Sequence, residues 1–357
     1  MRDEVHLSVA EATDLGERAL QAIGFDREQS AIITAHLVDA ALCGHRFAGL
    51  PRILTINEDP RTREPRTPVK IVHETEVSAL MDGGNHVGYY AVHQATQVAI
   101  EKARKHRIAV VGMYRSHLSG RNAYYLEMIA RAGLVGIHLA SAAPVVLPHG
   151  GAKAAFGTNP IGFGFPADGD PFIVDLGTAA MMRGEVILRT RLGLPLPEGA
   201  AIDGRGQPTT DPVEALKGGI FTFGGHRSSA LSFGIQAMCL LAGAARARGS
   251  VQDFAFFFVV FDPAILMPPE EFKAQLRELI EAVRAVPGLD PDEPVRIPSE
   301  RAFRERERRR KEGIPVDRAL YDQLRVLSIS FNGPRRRGSP GAAPAASGRR
   351  CSLPSAR

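Results

Sequence analysis

Apolar positions in the first forty residues recur at helical spacing. "VAEATDLGERALQAIG" follows Ser8 and "REQSAIITAHLVDAALCG" follows Asp26. The side-chain oxygens of Ser8 and Asp26 can accept from first-turn amides, so each predicts a helix start. In the second helix Ile32, Ile33, His36, Leu37, Ala40 and Ala41 form one stripe. Gly44 and Gly49 punctuate its end. A Pro-rich linker near residues 59 to 68 comes next. "VSALMDGGN" then reads as strand and turn, "GYYAVHQATQVAIEKARKH" as helix and "IAVVGM" as strand. "NAYYLEMIARAG" reads as helix and "LVGIHLAS" as strand. The alternation of helical and strand periods predicts an α/β body and leaves strand direction open.

From Pro144 to Thr178 the helical period disappears. "HGGAKAAFGTNPIGFGFPADGDPFIVDLGT" carries Gly every few residues and ends in an apolar strand. Backbone of this kind permits close approach of a ligand. A helix returns at "SALSFGIQAMCLLAGAA". "FAFFFVVF" is a buried strand, and "PPEEFKAQLRELIEAVRAV" is a helix with Pro269 in its first turn. "ERAFRERERRRKEG" mixes signs and reads as a solvated helix face. There are no internal repeats.

At 357 residues, 44 % hydrophobic and 23 % charged, the chain fits a globular protein of two or three subdomains. No apolar run reaches the roughly 20 residues of a membrane span. "MRDEVHLS" lacks the apolar stretch of a signal peptide. Cys43, Cys239 and Cys351 have no metal-ligand spacing and suit a reducing cytoplasm. The net charge of +5 falls to −1 when the six Arg from residue 333 onward are set aside. That tail, 333–357, is rich in Pro, Gly, Ser and Ala and reads as a disordered appendage. Without an accompanying motif it does not make the chain a nucleic-acid binder.

No G-x-G-x-x-G follows a strand, and there is no G-x-x-x-x-G-K-[ST]. The glycine-rich middle is the remaining candidate for a phosphate cradle, with a plain turn-rich connection as the alternative. His117 follows the strand "IAVVGM". A histidine on such a loop suits proton exchange with a hydroxyl, or is simply a surface residue. Asp175 ends an apolar strand, where it can orient a ligand or cap a turn.

"AFGTNPIGFGFP", "IVDLGT", "IDGRGQPTTDP" and "FTFGGHR", in this order, resemble the malate/L-lactate dehydrogenase family that lacks the Rossmann fold. That family includes ureidoglycolate and sulfolactate dehydrogenases and piperideine- and pyrroline-2-carboxylate reductases. The resemblance runs from about residue 8 to 330. It implies a mostly antiparallel sheet that binds NAD or NADP, with helical N- and C-terminal parts. The implied division is 1–70 helical and substrate-binding, 71–250 cofactor-binding and 251–332 returning to the substrate part. A cytoplasmic homodimer acting on a small carboxylate is also implied.

Carried over by position, the family's Asp falls on Asp175, with Leu176 and Gly177 beside it. Thr158, Asn159 and Pro160 stand in "GTNPI". The family's phosphate-binding Lys falls on Arg227, which keeps the charge and changes its shape. A cofactor-contacting serine falls on Ala142, next to Ser141. The proton-transferring histidine falls on Leu118, one residue after His117. After the second helix the family writes D-S-H-G-x-x-R, where this chain has Phe47 for Ser and Ala48 for His. Arg52 remains to hold a substrate carboxylate, and His45 and Arg46 partly replace the lost polarity. The segment between Gly243 and Phe254 is shorter than the family's.

Two readings follow. In the first, the chain exchanges hydride between NAD(P) and a small 2-oxo, 2-hydroxy or cyclic 2-imino acid. His117, Asp175, Arg52 and His45 form the reaction site, and no metal takes part. In the second, the loss of the Ser-His pair leaves a degenerate relative that binds a ligand or partner without turnover.

Overall fold

The computed structural model describes residues 3–290 and 293–329; the tail at 333–357 lies outside them. A strand, β1 (Glu4–Leu7), precedes the two opening helices, α1 (Val9–Ala22) and α2 (Arg27–Leu42). Ser8 accepts from the Glu11 amide at 3.2 Å, while Glu11 accepts from the Ser8 amide at 2.8 Å. Asp26 accepts from Gln29 at 2.8 Å. Both caps are where the pattern put them. After α3 (Arg52–Glu58) come β2 (Lys70–Glu74), β3 (Ser78–Asp82), α4 (Gly88–His106), β4 (Ile108–Tyr114) and α5 (Asn122–Arg131). Then follow β5 (Val135–Ser141), β6 (Ile161–Phe165), β7 (Phe172–Leu176) and α6 (Arg183–Leu192). The short elements β8 (Ala201–Ile202), β9 (Pro208–Thr209), α7 (Pro212–Ala215) and β10 (Gly219–Ile220) lead to α8 (His226–Leu241) and β11 (Ala255–Phe261). The described chain closes with α9 (Pro269–Arg284), α10 (Glu300–Glu312), β12 (Ile314–Asp317) and α11 (Arg318–Ile329).

Seven strands form one sheet in the order β2-β3-β4-β11-β5-β6-β7. β3 and β4 run parallel, and every other neighbouring pair is antiparallel. The apolar run of β11 occupies the centre because both of its faces are covered. Phe256, Phe258 and Val260 pack with α4 and α5 through Ala95, Ala99, Tyr125 and Ile129. Ala255 and Phe257 face α8 through Ile235 and Cys239. Fully burying each such phenylalanine contributes about 2–3 kcal/mol. A separate cluster joins α1, α2, α3 and α11, and includes Tyr89 and Leu118 at the border of the sheet body. β1 pairs with β12, tying the two ends of the described chain together.

The mixed-sign run does form a helix, α10, but the reading of it as a solvated face needs correction. Arg306 is buried and makes two hydrogen bonds to Glu127, at 2.6 and 3.0 Å. Asp39 of α2 lies 2.9 Å from the same guanidinium. Sign alternation cannot show this, because the partners are about 180 and 270 residues away in sequence.

Candidate active site

The end of α2 breaks at Gly44, and a short 3-10 turn, Arg46–Ala48, carries the chain into α3. This turn forms one wall of a cavity of about 790 Å³. His45, Phe47, Ala48 and Arg52 line it here. Burial first, then Arg121, Arg301 and Arg309, push the His45 imidazole down to about 3. His45 is therefore neutral in solution near pH 7. Arg46 turns away to an ion pair with Glu4 at 2.9 Å.

The loop after β4 forms the second wall, and it is tightly constrained. Gly120 has φ +76°, and a Cβ there would lie 2.4 Å from Tyr89 Cε1 and 2.5 Å from His36 Nε2. The Arg121 amide donates to His36 Nε2 at 3.0 Å, which places the imidazole proton on Nδ1. Arg121 is buried against Asp39 at 2.9 Å. Leu118 takes a left-handed φ of +56° and lines the cavity. Such a conformation in a branched apolar residue costs about 1–3 kcal/mol.

His117 does not border the cavity. It is wholly buried, and neither ring nitrogen has a hydrogen-bond partner. Burial, opposed by Asp59, pushes its pKa down to about 4. The expectation that His117 passes the proton is corrected by this placement: Leu118, not His117, faces the cavity. Backbone strain in the loop does not swing the imidazole forward.

β6, β7 and the glycine-rich segment supply the floor. Asp175 pairs in register with Gly162 and accepts from the Ala123 amide at 2.9 Å. Its carboxyl is open to the cavity while protein surrounds it, and burial raises its pKa. The Ala123 amide and the Arg121 charge partly oppose that rise. Thr158, Pro160, Ser141 and Gly177 also line the cavity. The Ser141 hydroxyl donates to Asp253 O at 2.8 Å and accepts from the Ala255 amide at 3.0 Å.

Three predicted contacts lie elsewhere. Asn159 is wholly buried and donates to Ser232 O and Gln236 Oε1, so it anchors α8. Leu176 is half-buried beyond the lining. Arg227 is exposed in the first turn of α8, outside the cavity.

The cavity also holds residues that the sequence reading passed over. Arg183 opens α6, Arg61 is paired with Asp253 at 2.8 Å, and Tyr89 and Asn122 stand in the wall. Only a basic residue beside Gly184 marked Arg183, and such pairs are common. Asn122 is buried with both amide atoms unpartnered. A buried amide left so is costly, by about 1–3 kcal/mol, and is the kind of group a bound ligand satisfies. Together with a volume in the usual range for cofactor sites, it fits a bound organic cofactor with an amide or hydroxyl of its own. Among the described residues no cluster of three or more His, Cys, Asp or Glu could hold a metal, and no helix is long and apolar enough to cross a membrane.

Residues 7–325 match the pattern of the malate/L-lactate dehydrogenase family. L-sulfolactate dehydrogenase of Methanothermobacter thermautotrophicus is 34 % identical over 337 residues, covering 91 % of this chain and 96 % of that protein. The Δ1-pyrroline-2-carboxylate/Δ1-piperideine-2-carboxylate reductase of Pseudomonas putida is 37 % identical over 252 residues, 66 % of this chain and 71 % of that protein. A dehydrogenase crystal structure from Sinorhizobium meliloti superposes with a TM-score of 0.82 at 28 % identity, covering 92 % of this chain and 99 % of that one. With the sheet order, the cavity and these matches in agreement, the chain belongs to the malate/L-lactate dehydrogenase family and is an oxidoreductase of small acids.

Proposed function

We propose that this oxidoreductase uses NAD or NADP to exchange hydride with a small 2-oxo, 2-hydroxy or cyclic 2-imino acid. The observation that carries this reading is that Arg52 and Asp175 border one cavity within a single chain. Arg52 is placed to grip the acid's carboxylate by a two-point hydrogen bond. Asp175 faces the same space with a carboxyl that burial biases toward its protonated form. When bound, the nicotinamide supplies or accepts the hydride, and the protein supplies alignment and the proton.

In this reading Thr158, Pro160, Ser141, Gly177 and Asn122 hold the cofactor side of the cavity. His45, kept neutral, offers a hydrogen bond to the substrate without adding charge. With His117 sealed away, Asp175 is the group left to carry the proton. In reduction it gives its proton to the oxygen or nitrogen at C2, and in oxidation it takes one back. Phe47 and Ala48 keep the surroundings of C2 apolar. Arg227 remains a candidate phosphate contact through a part of the cofactor that extends beyond the cavity.

The homodimer also enters as a proposal. α8 exposes Phe233 and Leu241 at 67 % and 70 %, beside Leu240 and Phe223. An apolar face of this size suits burial against a second copy. Size-exclusion chromatography with light scattering gives the mass directly.

Purified protein with NADH or NADPH and a panel of 2-oxo and 2-imino acids tests the reaction. Oxidation of either cofactor with one acid supports the reading, and none across the panel rejects it. The sealed His117 favours the second reading, a binding protein without turnover. Calorimetry with NADH and NADPH separates the two. Tight binding of acid and cofactor without turnover would establish the second.

A further inference from the structure

We propose that a second cavity, at the junction of α2, α4 and β2, binds a free α-amino acid with an aliphatic side chain. This goes beyond the oxidoreductase reading and does not depend on it.

The second cavity has a volume of about 570 Å³, in the range of small-ligand sites, and shares no lining residue with the catalytic cavity. Its polar wall is built from Asp26 at the start of α2, Arg66 in the Pro-rich linker and His86 just before α4. Val69, Met81 and Val98 form an apolar wall.

His86 is buried, at 6 % exposure. Its Nε2 donates to Thr67 O at 3.1 Å, because a carbonyl can only accept. Burial first, and then the Arg66 charge, lower its pKa, so the ring is neutral near pH 7. Nδ1 is therefore an acceptor, and it has no hydrogen-bond partner. It requires a donor.

Arg66 requires the opposite. It is half-buried, its guanidinium carbon lies 4.3 Å from the centre of the Phe25 ring, and Nη2 donates to Gly24 O. Nη1 is buried without a partner. A ligand that matches such a group removes the penalty of leaving it unbonded. Asp26 supplies the remaining charge. Its Oδ1 accepts from the Gln29 amide at 2.8 Å, and its carboxylate acts on Arg66 and His86 without forming an ion pair with Arg66. A cation and an anion thus border one cavity with a gap between them.

An α-amino acid bridges that gap. Its carboxylate accepts from Arg66 Nη1, and its ammonium donates to His86 Nδ1 and Asp26 Oδ2. Its side chain lies on Val69, Met81 and Val98. A simple carboxylate leaves His86 and Asp26 unmatched, and a simple amine leaves Arg66 unmatched. The frame is set in advance. The Thr67 amide donates to Gly84 O at 2.9 Å, and Ser116 Oγ donates to His86 O at 2.8 Å. Groups fixed in this way lose little freedom when a ligand binds.

Calorimetry on the full-length protein tests the site. The probes are L-valine, L-leucine and L-methionine, each beside counterparts that lack the ammonium or the carboxylate (4-methylpentanoate and 3-methylbutylamine for leucine). At least one amino acid binds, about tenfold or more tightly than either counterpart, since each counterpart forfeits a charge-assisted bond. Arg66→Met weakens that amino acid by about tenfold or more. Asp26→Asn keeps the cap of α2, because Asn caps as well as Asp, and removes only the charge. It weakens the amino acid by a similar factor and leaves the carboxylate counterpart within about twofold. This variant carries the test if Arg66→Met fails to fold, which the unfolding midpoint shows. Arg52→Met, in the catalytic cavity, leaves amino-acid binding unchanged.

No heat with any of the three up to about 10 mM means that water alone occupies the cavity, and the proposal fails. Equal binding of a carboxylate or amine counterpart also overturns it, by showing a site for a single charge. Loss of binding in Arg52→Met with none in Asp26→Asn would place the amino acid in the catalytic cavity instead.

Discussion

Arg306 of α10 and Glu127 of α5 form a buried two-point ion pair, with hydrogen bonds of 2.6 and 3.0 Å. Asp39 of α2 completes the cluster, and the same Asp39 also holds Arg121 in the cavity wall. α10 is thereby fastened to α2 and α5, the two helices that frame the active site.

Removing the Glu127 charge takes two charge-assisted hydrogen bonds from Arg306 and leaves it only Asp39, which Arg121 also shares. Glu127→Gln is expected to lower unfolding free energy by about 1.5–3 kcal/mol. Urea denaturation followed by circular dichroism measures it. A loss below about 1 kcal/mol would show that the pair is solvated.

Gly120→Ala places a Cβ 2.4 Å from Tyr89 and 2.5 Å from His36 at a positive φ. A loss of about 2 kcal/mol or more in stability is expected. The cavity wall moves with it, so kcat/KM falls as well. A variant of parental stability and turnover would contradict the packing described.

Asp175→Asn is expected to cut reductive kcat about 100-fold or more. The pH dependence has a definite sign. Burial raises the Asp175 pKa, so the protonated donor persists above the ordinary carboxylate range. Reduction then fades as pH rises through that raised pKa, and oxidation gains over the same interval. Asp175→Asn should flatten this limb; a limb that survives in the variant assigns the proton to another group.

His138 is stacked on Phe258 at 3.9 Å in the sheet core, and burial pushes its pKa down to about 3. Its folded pKa lies below the unfolded value, so the unfolded chain takes up the proton first. Stability is therefore lost as pH falls below about 6.5, by up to about 1.4 kcal/mol per pH unit. Unfolding free energies between pH 7 and 5 should fall less steeply in His138→Phe. An unaltered slope would count against a neutral buried imidazole.

Local signals in the chain were enough for most elements. Ser8 and Asp26 announced α1 and α2, and the apolar run at Phe256 to Phe258 announced the central strand. These readings succeed because capping and periodicity act over a few residues. The strand β1 went unread because four residues of mixed polarity acquire meaning only when paired with β12, at the far end of the described chain.

At the site, the resemblance and the element ends pointed to Arg52, His45 and Asp175, and all three border the cavity. Sequence favoured His117, whereas Leu118 is the one of the two that lines the cavity. A left-handed turn at position 118 determines which of them faces the cavity, and no local pattern encodes it. Arg183 stayed hidden for a related reason. Whether an arginine is neutralised depends on carboxylates brought near by the fold, and Coulomb interactions follow distance in space rather than along the chain. The sequence by itself determined most of the elements and the family. Tertiary structure alone decided which polar groups share a cavity and which charges in it are left for a ligand to match.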